Sequence, residues 1–568
     1  MPASSSASSG APRGASPEGS GAGSATAHVD TFARDRLPAA DALPELLFEL
    51  PELQFPPRLN CATELLDRWV GQGEGDRVAV QGHGAVRWTY ADLQAQANRI
   101  ARVLVEDMGL VPGNRVLLRG ANSPMLAACW FGVVKAGGIV VGTMPLLRAR
   151  ELVGIVEKAQ ISHALVDSRL ADELDLALPQ CPTLRQVRHF GMGAGGVGAQ
   201  ALETLAAGKP ATFDNVDTAA EDICLMAFTS GTTGVPKAAM HFHRDVMAAC
   251  RCWPPHVLRA TRDDVFIGSP PLAFTFGLGG LLAFPLAIGA STVLVEKAAP
   301  DALLPAIAQF RATVCFTAPT SYRAMAAQIA KEGPRPDLTS LRKCVSAGEA
   351  LPAATRRLWK DATGIEIIDG IGSTELFHIF ISADEAHARP GATGLVVPGY
   401  RAAVLDDEGR ELPRGQVGRL AIKGPTGCKY LEDARQAQYV QRGWNLTGDA
   451  YLHDSDGQFV YQARTDDMII SGGYNIAGPE VESALLLHPA VAECGVIGRP
   501  DEARGMVVKA FVVLRPDHAG DAAMVATLQD FVKQTIAPYK YPREIEFRAS
   551  LPRTETGKLQ RFRLREPG

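Results

Sequence analysis

Residues 229–237 read Thr-Ser-Gly-Thr-Thr-Gly-Val-Pro-Lys, with four hydroxyls, two glycines and one lysine in nine positions. Glycine-rich loops let backbone N–H groups converge on an anion, and a lysine adds a point charge, so the composition suits phosphate. It is not a Walker loop, in which the lysine is followed by a magnesium-binding hydroxyl. Here Pro236 precedes Lys237 and Ala238 follows it. Five further clusters carry residues of chemical use: SAGEALP (346–352), DGIGSTE (369–375), LTGD (446–449), ARTDDMIISGGYNI (463–476) and PRTETGKLQR (552–561). Together they hold two carboxylates suited to a hard cation or a sugar diol, Glu375 and Asp449, and two cations, Arg464 and Lys558.

The elements that must position these clusters are legible as rhythm. Helical spacing over 90–108 leads to the apolar run 115–120, a second helical pattern over 125–138 and the β-branched run Ile-Val-Val. The runs HALVD, STVLVE and ATVCFTAP repeat the strand-then-helix order. This predicts an α/β fold with helices covering largely parallel sheets. From about residue 395 short strands and Asp-Gly-type turns at Asp407-Glu408-Gly409 and Asp456-Gly457 predict a β-rich subdomain. Beyond about Asp466 a compact α+β unit is expected. The organisation is then a Ser/Ala/Gly-rich disordered tail over 1–28, a large N-terminal domain over 29–465 with its β-rich part at about 395–465, and a small mobile C-terminal domain over 466–568 carrying Lys558.

Composition narrows the function class. Of 568 residues, 46% are hydrophobic and 21% charged, and the net charge of −5 gives no reason to expect nucleic acid or an acidic membrane as partner. No apolar run reaches membrane-spanning length, and the tail lacks the features of a secretory or transit signal. Ten cysteines without a C-x-x-C pair suit reduced thiols, and a cytoplasmic location is expected. Gly191, Gly193 and Gly196 form a G-x-G-x-x-G, but a basic strand precedes it and a short helix follows. A mobile surface loop is expected there, not a dinucleotide site.

Taken together and in this order, the six clusters resemble those of the adenylate-forming superfamily of acyl-CoA synthetases, adenylation domains and luciferases. DGIGSTELFHIF and PKAAMHFHRD are most similar to the aryl-CoA ligases, those for 2-aminobenzoate and benzoate. The resemblance spans roughly residues 60–565 and implies ATP, Mg2+ and coenzyme A alongside an aromatic acid. It implies that Thr229, Ser230, Gly231, Thr232, Thr233, Gly234 and Lys237 grip the β- and γ-phosphates, that Glu375 binds the metal and that Thr374 donates to the α-phosphate. Gly348, Glu349 and Ala350, with Asp369, Gly370, Ile371, Gly372 and Ser373, carry over to the nucleotide site, and Asp449 and Arg464 to the ribose. Lys558 falls between the attacking carboxylate and the α-phosphate, Asp466 at the hinge, and Gly472 and Gly473 at the thiol channel. Ala463 stands where many relatives have glycine. Phe274, Phe276, Ala318, Ala347, Ile371, Gly372 and His378 carry over to the acyl pocket, although Phe274 and Phe276 also suit core positions at strand period. His241 and His243 are expected to support the phosphate loop or the helix after it. A non-catalytic or luciferase-like role fits poorly with Lys558, Glu375 and Asp449 all present. Still open are benzoate or another substituted benzoate as the acid, a carrier protein in trans as acceptor, and a homodimer.

Overall fold

The computed structural model describes residues 25–82, 86–191, 201–229, 236–331, 336–464, 467–471, 474–501, 504–536, 538–553 and 559–565. Of the tail expected over 1–28, residues 1–24 lie outside them, as do Gly193 and Gly196, whereas Thr26 and the Ala27 N–H donate to Asp222 and His28 is buried, so the last part of that stretch belongs to the folded domain.

Two large sheets form the N-terminal domain. In one, Gln186–Phe190, His163–Asp167, Arg115–Arg119, Ile139–Thr143 and Ile223–Thr229 run parallel, and Lys237–Phe242 closes the edge antiparallel. In the nine-stranded sheet, six parallel strands from Val78–Gly82 to Ile367–Gly372 are flanked by antiparallel edges. Strands such as Arg115–Arg119 and His163–Asp167 are buried along their whole length because helices cover both faces. The covering helices start and stop where their sequence says. In Pro124–Lys135, Ser123 caps the Leu126 N–H at 3.2 Å, proline occupies the first turn, and Gly137 beyond the end adopts φ 71°.

The β-rich subdomain is a five-stranded antiparallel sheet that includes Arg401–Leu405, Val417–Lys423, Trp444–His453 and Phe459–Arg464. Its hairpin turns fall at the expected Asp-Gly positions, with Gly409 at φ 79° and Gly457 at φ 82°. The small C-terminal α+β domain packs Gly478–Leu485 and Ala522–Thr535 on a sheet centred on Val491–Asp501 and Gly505–Leu514. All ten cysteines are free and buried, and among the described residues no helix is long and apolar enough to cross a membrane.

Candidate active site

The phosphate loop opens and closes on paired strands, with Thr229 the register partner of Lys237. Ser230, Gly231, Thr232, Thr233 and Gly234 lie outside the described residues. At the loop's exit the Lys237 Nζ donates to the Tyr430 hydroxyl at 2.8 Å and lies 3.5 Å from Glu375 Oε1. The Tyr430 hydroxyl in turn donates to Glu375, so one phenol bridges the lysine and the buried carboxylate. Burial, and then the nearby Glu375 charge, pushes the Tyr430 pKa far up, so it stays a donor. Tyr430 had no local sequence signal. It reaches the site as an isolated antiparallel bridge to Ala239.

Thr374 and Glu375 sit on a turn in which the Phe377 N–H donates to the Thr374 carbonyl at 3.2 Å. Phe377 has φ 72°, a left-handed conformation that costs a bulky residue about 1–3 kcal/mol. The same carbonyl accepts from His241 Nε2 at 2.8 Å, and the His241 ring meets Phe377 edge-on at 5.4 Å. His241 therefore reaches across to the Thr374–Phe377 turn, beyond the expected support of its own loop and helix. Burial lowers its pKa to about 4, leaving it neutral. Behind it, Lys429 Nζ lies 2.8 Å from Asp245 Oδ2, which is 3.8 Å from His241 Nδ1.

His243 behaves differently. Its Nδ1 accepts the Cys61 backbone N–H at 3.1 Å and lies 3.3 Å from the Cys61 thiol. Cys61, Cys224 and His243 put their ligand-type atoms within 4.8 Å of one another, all buried. The lone pair a metal would need is already engaged, so the trio is a polar network in the core.

On the neighbouring strands, Ser346 and Asp369 are register partners. Ser346 Oγ, Asp369 Oδ1 and Thr229 Oγ1 are buried with no hydrogen-bond partner among the described residues. Buried polar atoms without partners are costly, and a nucleotide rich in donors and acceptors is the kind of group that satisfies them. Burial pushes the Asp369 carboxyl up to about 7. Gly348 and Ala350 are exposed, and Glu349 lies 3.7 Å from Arg553 of the C-terminal domain. Asp449 and Arg464 face each other in register, the Arg464 Nη1 donating to the Thr447 carbonyl at 2.9 Å and lying 3.3 Å from Asp449 Oδ1. Between them Gly448 has φ 76°, and a Cβ there would fall 2.6 Å from Arg464 Nη2. Glycine is what lets the guanidinium lie across the strand. Ser373 Oγ caps the Leu376 N–H at 3.2 Å and lies 3.1 Å from the Tyr439 hydroxyl.

Of the acyl-pocket candidates, Phe276 and Gly372 lie against His378. Phe274 and Phe276 are not on a strand. Phe274 precedes the short helix Thr275–Leu278, which continues as a π-helical turn over Gly279–Ala283 and then as Phe284–Ala287. Both phenylalanines are half-buried, and Phe276 packs against the hydrophobic core. Phe276 lies 5.5 Å from the His378 ring and 5.8 Å from Phe316, while Phe284 and Trp253 lie 4.4 and 5.7 Å from His378. A Cβ at Gly279 would fall 2.5 Å from His378 Cδ2, so this glycine permits the ring's approach. Burial lowers the His378 pKa to about 3. Its Nε2 is 3.4 Å from the Phe276 carbonyl, and its Nδ1 has no partner among the described residues. Ala347 is buried beside Ser346, Ala318 caps helix Pro319–Ile329, and Ile371 and Gly372 end strand Ile367–Gly372.

Lys558, Asp466, Gly472 and Gly473 lie outside the described residues. Residues 554–558 are bracketed by a bridge between Arg553 and Leu559, and it is Arg553 that approaches Glu349. Ala463 is fully buried opposite Ala450, a place where a methyl group is accommodated.

A family model described as AMP-binding enzyme matches residues 66–430, and one described as AMP-binding enzyme C-terminal domain matches 480–558. The chain is 35% identical to a benzoate–CoA ligase of Thauera aromatica, over 91% of this chain and 97% of the relative. Its fold is similar to that of the anthranilate CoA ligase AuaEII in complex with anthranoyl-AMP, with TM-score 0.85, 36% identity and coverage of 91% and 98%. It is also similar to a benzoate CoA ligase from Burkholderia xenovorans LB400, with TM-score 0.80, 30% identity and coverage of 89% and 100%. With both family models matched in order along one chain, and relatives of this identity aligned over nearly their whole length, this protein belongs to the AMP-binding enzymes, the adenylate-forming superfamily.

Proposed function

We propose that the chain is an ATP-dependent aryl-CoA ligase, with 2-aminobenzoate as its preferred acid. The observation that carries the aryl reading is the cluster of rings, Phe276, Phe316, Phe284 and Trp253, packed about a neutral His378, with Phe276 half-buried at its edge. Flat apolar walls suit a flat ring. With Nε2–H directed at the Phe276 carbonyl, His378 Nδ1 keeps a lone pair. An ortho amino group offers the complementary N–H donor, which unsubstituted benzoate lacks. The relative solved with anthranoyl-AMP supports the same substituent.

The reaction needs two displacements. A carboxylate oxygen attacks the α-phosphorus of ATP, and the bond to pyrophosphate breaks. The thiol of coenzyme A then attacks the acyl carbon, and AMP leaves with the electron pair of the C–O bond. Lys237 and the loop before it take the β- and γ-phosphates, Thr374 donates to the α-phosphate, and Asp449 with Arg464 holds the ribose. Glu375 is a buried carboxylate, an oxygen ligand that suits a hard cation completed by phosphate oxygens, and the nearby Lys237 ammonium is left to pair with those phosphates. Bound magnesium would supply positive charge to those oxygens. Lys558 neutralises the approaching carboxylate and phosphate, and rotation about Asp466 replaces it by Gly472 and Gly473 for the thiol step.

The test is AMP release from ATP and magnesium with 2-aminobenzoate, benzoate, 2-hydroxybenzoate, 4-hydroxybenzoate, cinnamate or hexanoate, with and without CoA. CoA-dependent turnover peaking on 2-aminobenzoate is expected. Pyrophosphate exchange with no CoA-stimulated product would point to a carrier-protein acceptor, and a peak on hexanoate would remove the aryl reading.

A further inference from the structure

Glu375 is carried on a turn closed by one backbone hydrogen bond and by the Ser373 cap, and strained at its last residue. It is the second residue of the Thr374–Phe377 turn, whose last residue sits at φ 72°. A phenylalanine stays in that region only where its surroundings over-determine it. Two restraints come from one side chain. His241 Nε2 lies 2.8 Å from the Thr374 carbonyl, and because a carbonyl only accepts, Nε2 carries the proton. The His241 ring also packs edge-on against Phe377, with an interplanar angle of 88°. His241 is fully buried, and so is the Asp245–Lys429 pair behind it.

The geometry of the edge strand joins the two ends of the site. Lys237–Phe242 starts with the lysine that approaches the Glu375 carboxylate and, four residues on, supplies the histidine that holds the preceding peptide. A carboxylate that must share a cation with phosphate oxygens needs its backbone fixed to a fraction of an ångström. We propose that His241 is a positioning residue: its Nε2–H fixes the Thr374 carbonyl and so the backbone that aims Glu375 at nucleotide-bound magnesium. The inference rests on the reading of Glu375 as the magnesium carboxylate.

The experiment measures thermal stabilisation of the full chain by saturating ATP across a magnesium titration, a readout that requires no turnover. His241→Leu, His241→Gln and Glu375→Gln are compared with the unaltered protein. His241→Leu should need about tenfold more magnesium for half-maximal stabilisation, the effect of losing roughly one hydrogen bond's worth of positioning. His241→Gln, whose amide N–H can reach the same carbonyl, should stay within about threefold, on the same hydrogen-bond scale. In acid-dependent pyrophosphate release, the KM for the acid should not move. If His241→Leu does not fold, His241→Asn, with a shorter reach, takes its place and should shift the titration more than His241→Gln. An unchanged midpoint in the leucine or asparagine variant overturns the proposal, as does equal loss in the glutamine variant. If Glu375→Gln shifts the midpoint and His241→Leu does not, the proposal alone falls. If Glu375→Gln shifts nothing, the reading of Glu375 falls and takes the proposal with it.

Discussion

At the phosphate edge, Lys237, Tyr430 and Glu375 are already engaged with one another, while the acyl pocket a few residues further along the chain presents His378 among aromatic rings with a ring nitrogen unpartnered. The difference follows from what each region must hold. Charged groups near a buried site need partners before substrate arrives, and in the proposed function this edge is a closed set that a nucleotide and its metal would re-partner. In the same proposal the pocket would recognise mostly by shape and by a single lone pair, which leaves a modest desolvation penalty in the empty state. Changes in the pocket should therefore redirect substrate choice while sparing the phosphate chemistry, and changes at the edge should do the reverse.

The largest break in that contrast is expected from Lys558→Ala. Losing a cation aimed at the transition-state charge should slow adenylate formation by about 10²–10³-fold. Attack of CoA on supplied acyl-adenylate should persist. Equal loss of both half-reactions, measured by single-turnover kinetics, would refute the two-conformation picture. Next, Tyr430→Phe removes the phenol that bridges lysine and carboxylate. It should raise the KM for ATP roughly tenfold, as expected for a charge-assisted hydrogen bond, with the acid's KM unmoved. Phe276→Trp should crowd the pocket and lower kcat/KM for aromatic acids by about tenfold, within the usual cost of overpacking. A parallel loss on hexanoate would make Phe276 a core residue and blur the comparison.

The last prediction concerns stability, at Asp369. Its folded-state pKa of about 7 lies above the ordinary 3.8, so the folded chain keeps the proton longer than the unfolded chain does. Its contribution to stability is present at low pH and is lost as pH rises from about 4 through about 7. Asp369→Asn cannot ionise, so its Tm relative to the unaltered protein should climb across that window and level off above it. A constant offset at every pH would mean that Asp369 does not titrate there.

Much of the fold was legible because its signals are local. Apolar β-branched runs ending in glycine mark the parallel strands, and Asp-Gly pairs mark the hairpins of the β-rich subdomain. The motif residues were legible for the same reason, each cluster being a short stretch on one turn or strand end. What escaped is what depends on distance along the chain. Tyr430 meets Lys237 across 193 residues and His241 meets Thr374 across 133, and neither partner has a spacing that hints at the other. Phe274 and Phe276 alternate like strand residues yet lie at a helix start, because two positions are too few to distinguish the periods.

The π-helical turn at Gly279–Ala283 has a consequence for how this pocket can change over evolutionary time. A π turn is an α-helix with one surplus residue, so the helix here holds one residue more than ordinary winding needs. Deleting a single residue from that turn would restore ordinary winding and keep Thr275–Leu278, with Phe276, in phase with Phe284–Ala287. One codon lost there would thus leave Phe276 on the same face, whereas the same loss inside Thr275–Leu278 or Phe284–Ala287 would turn one side of the helix by about 100° against the other. A one-residue change of length is therefore best tolerated at this turn.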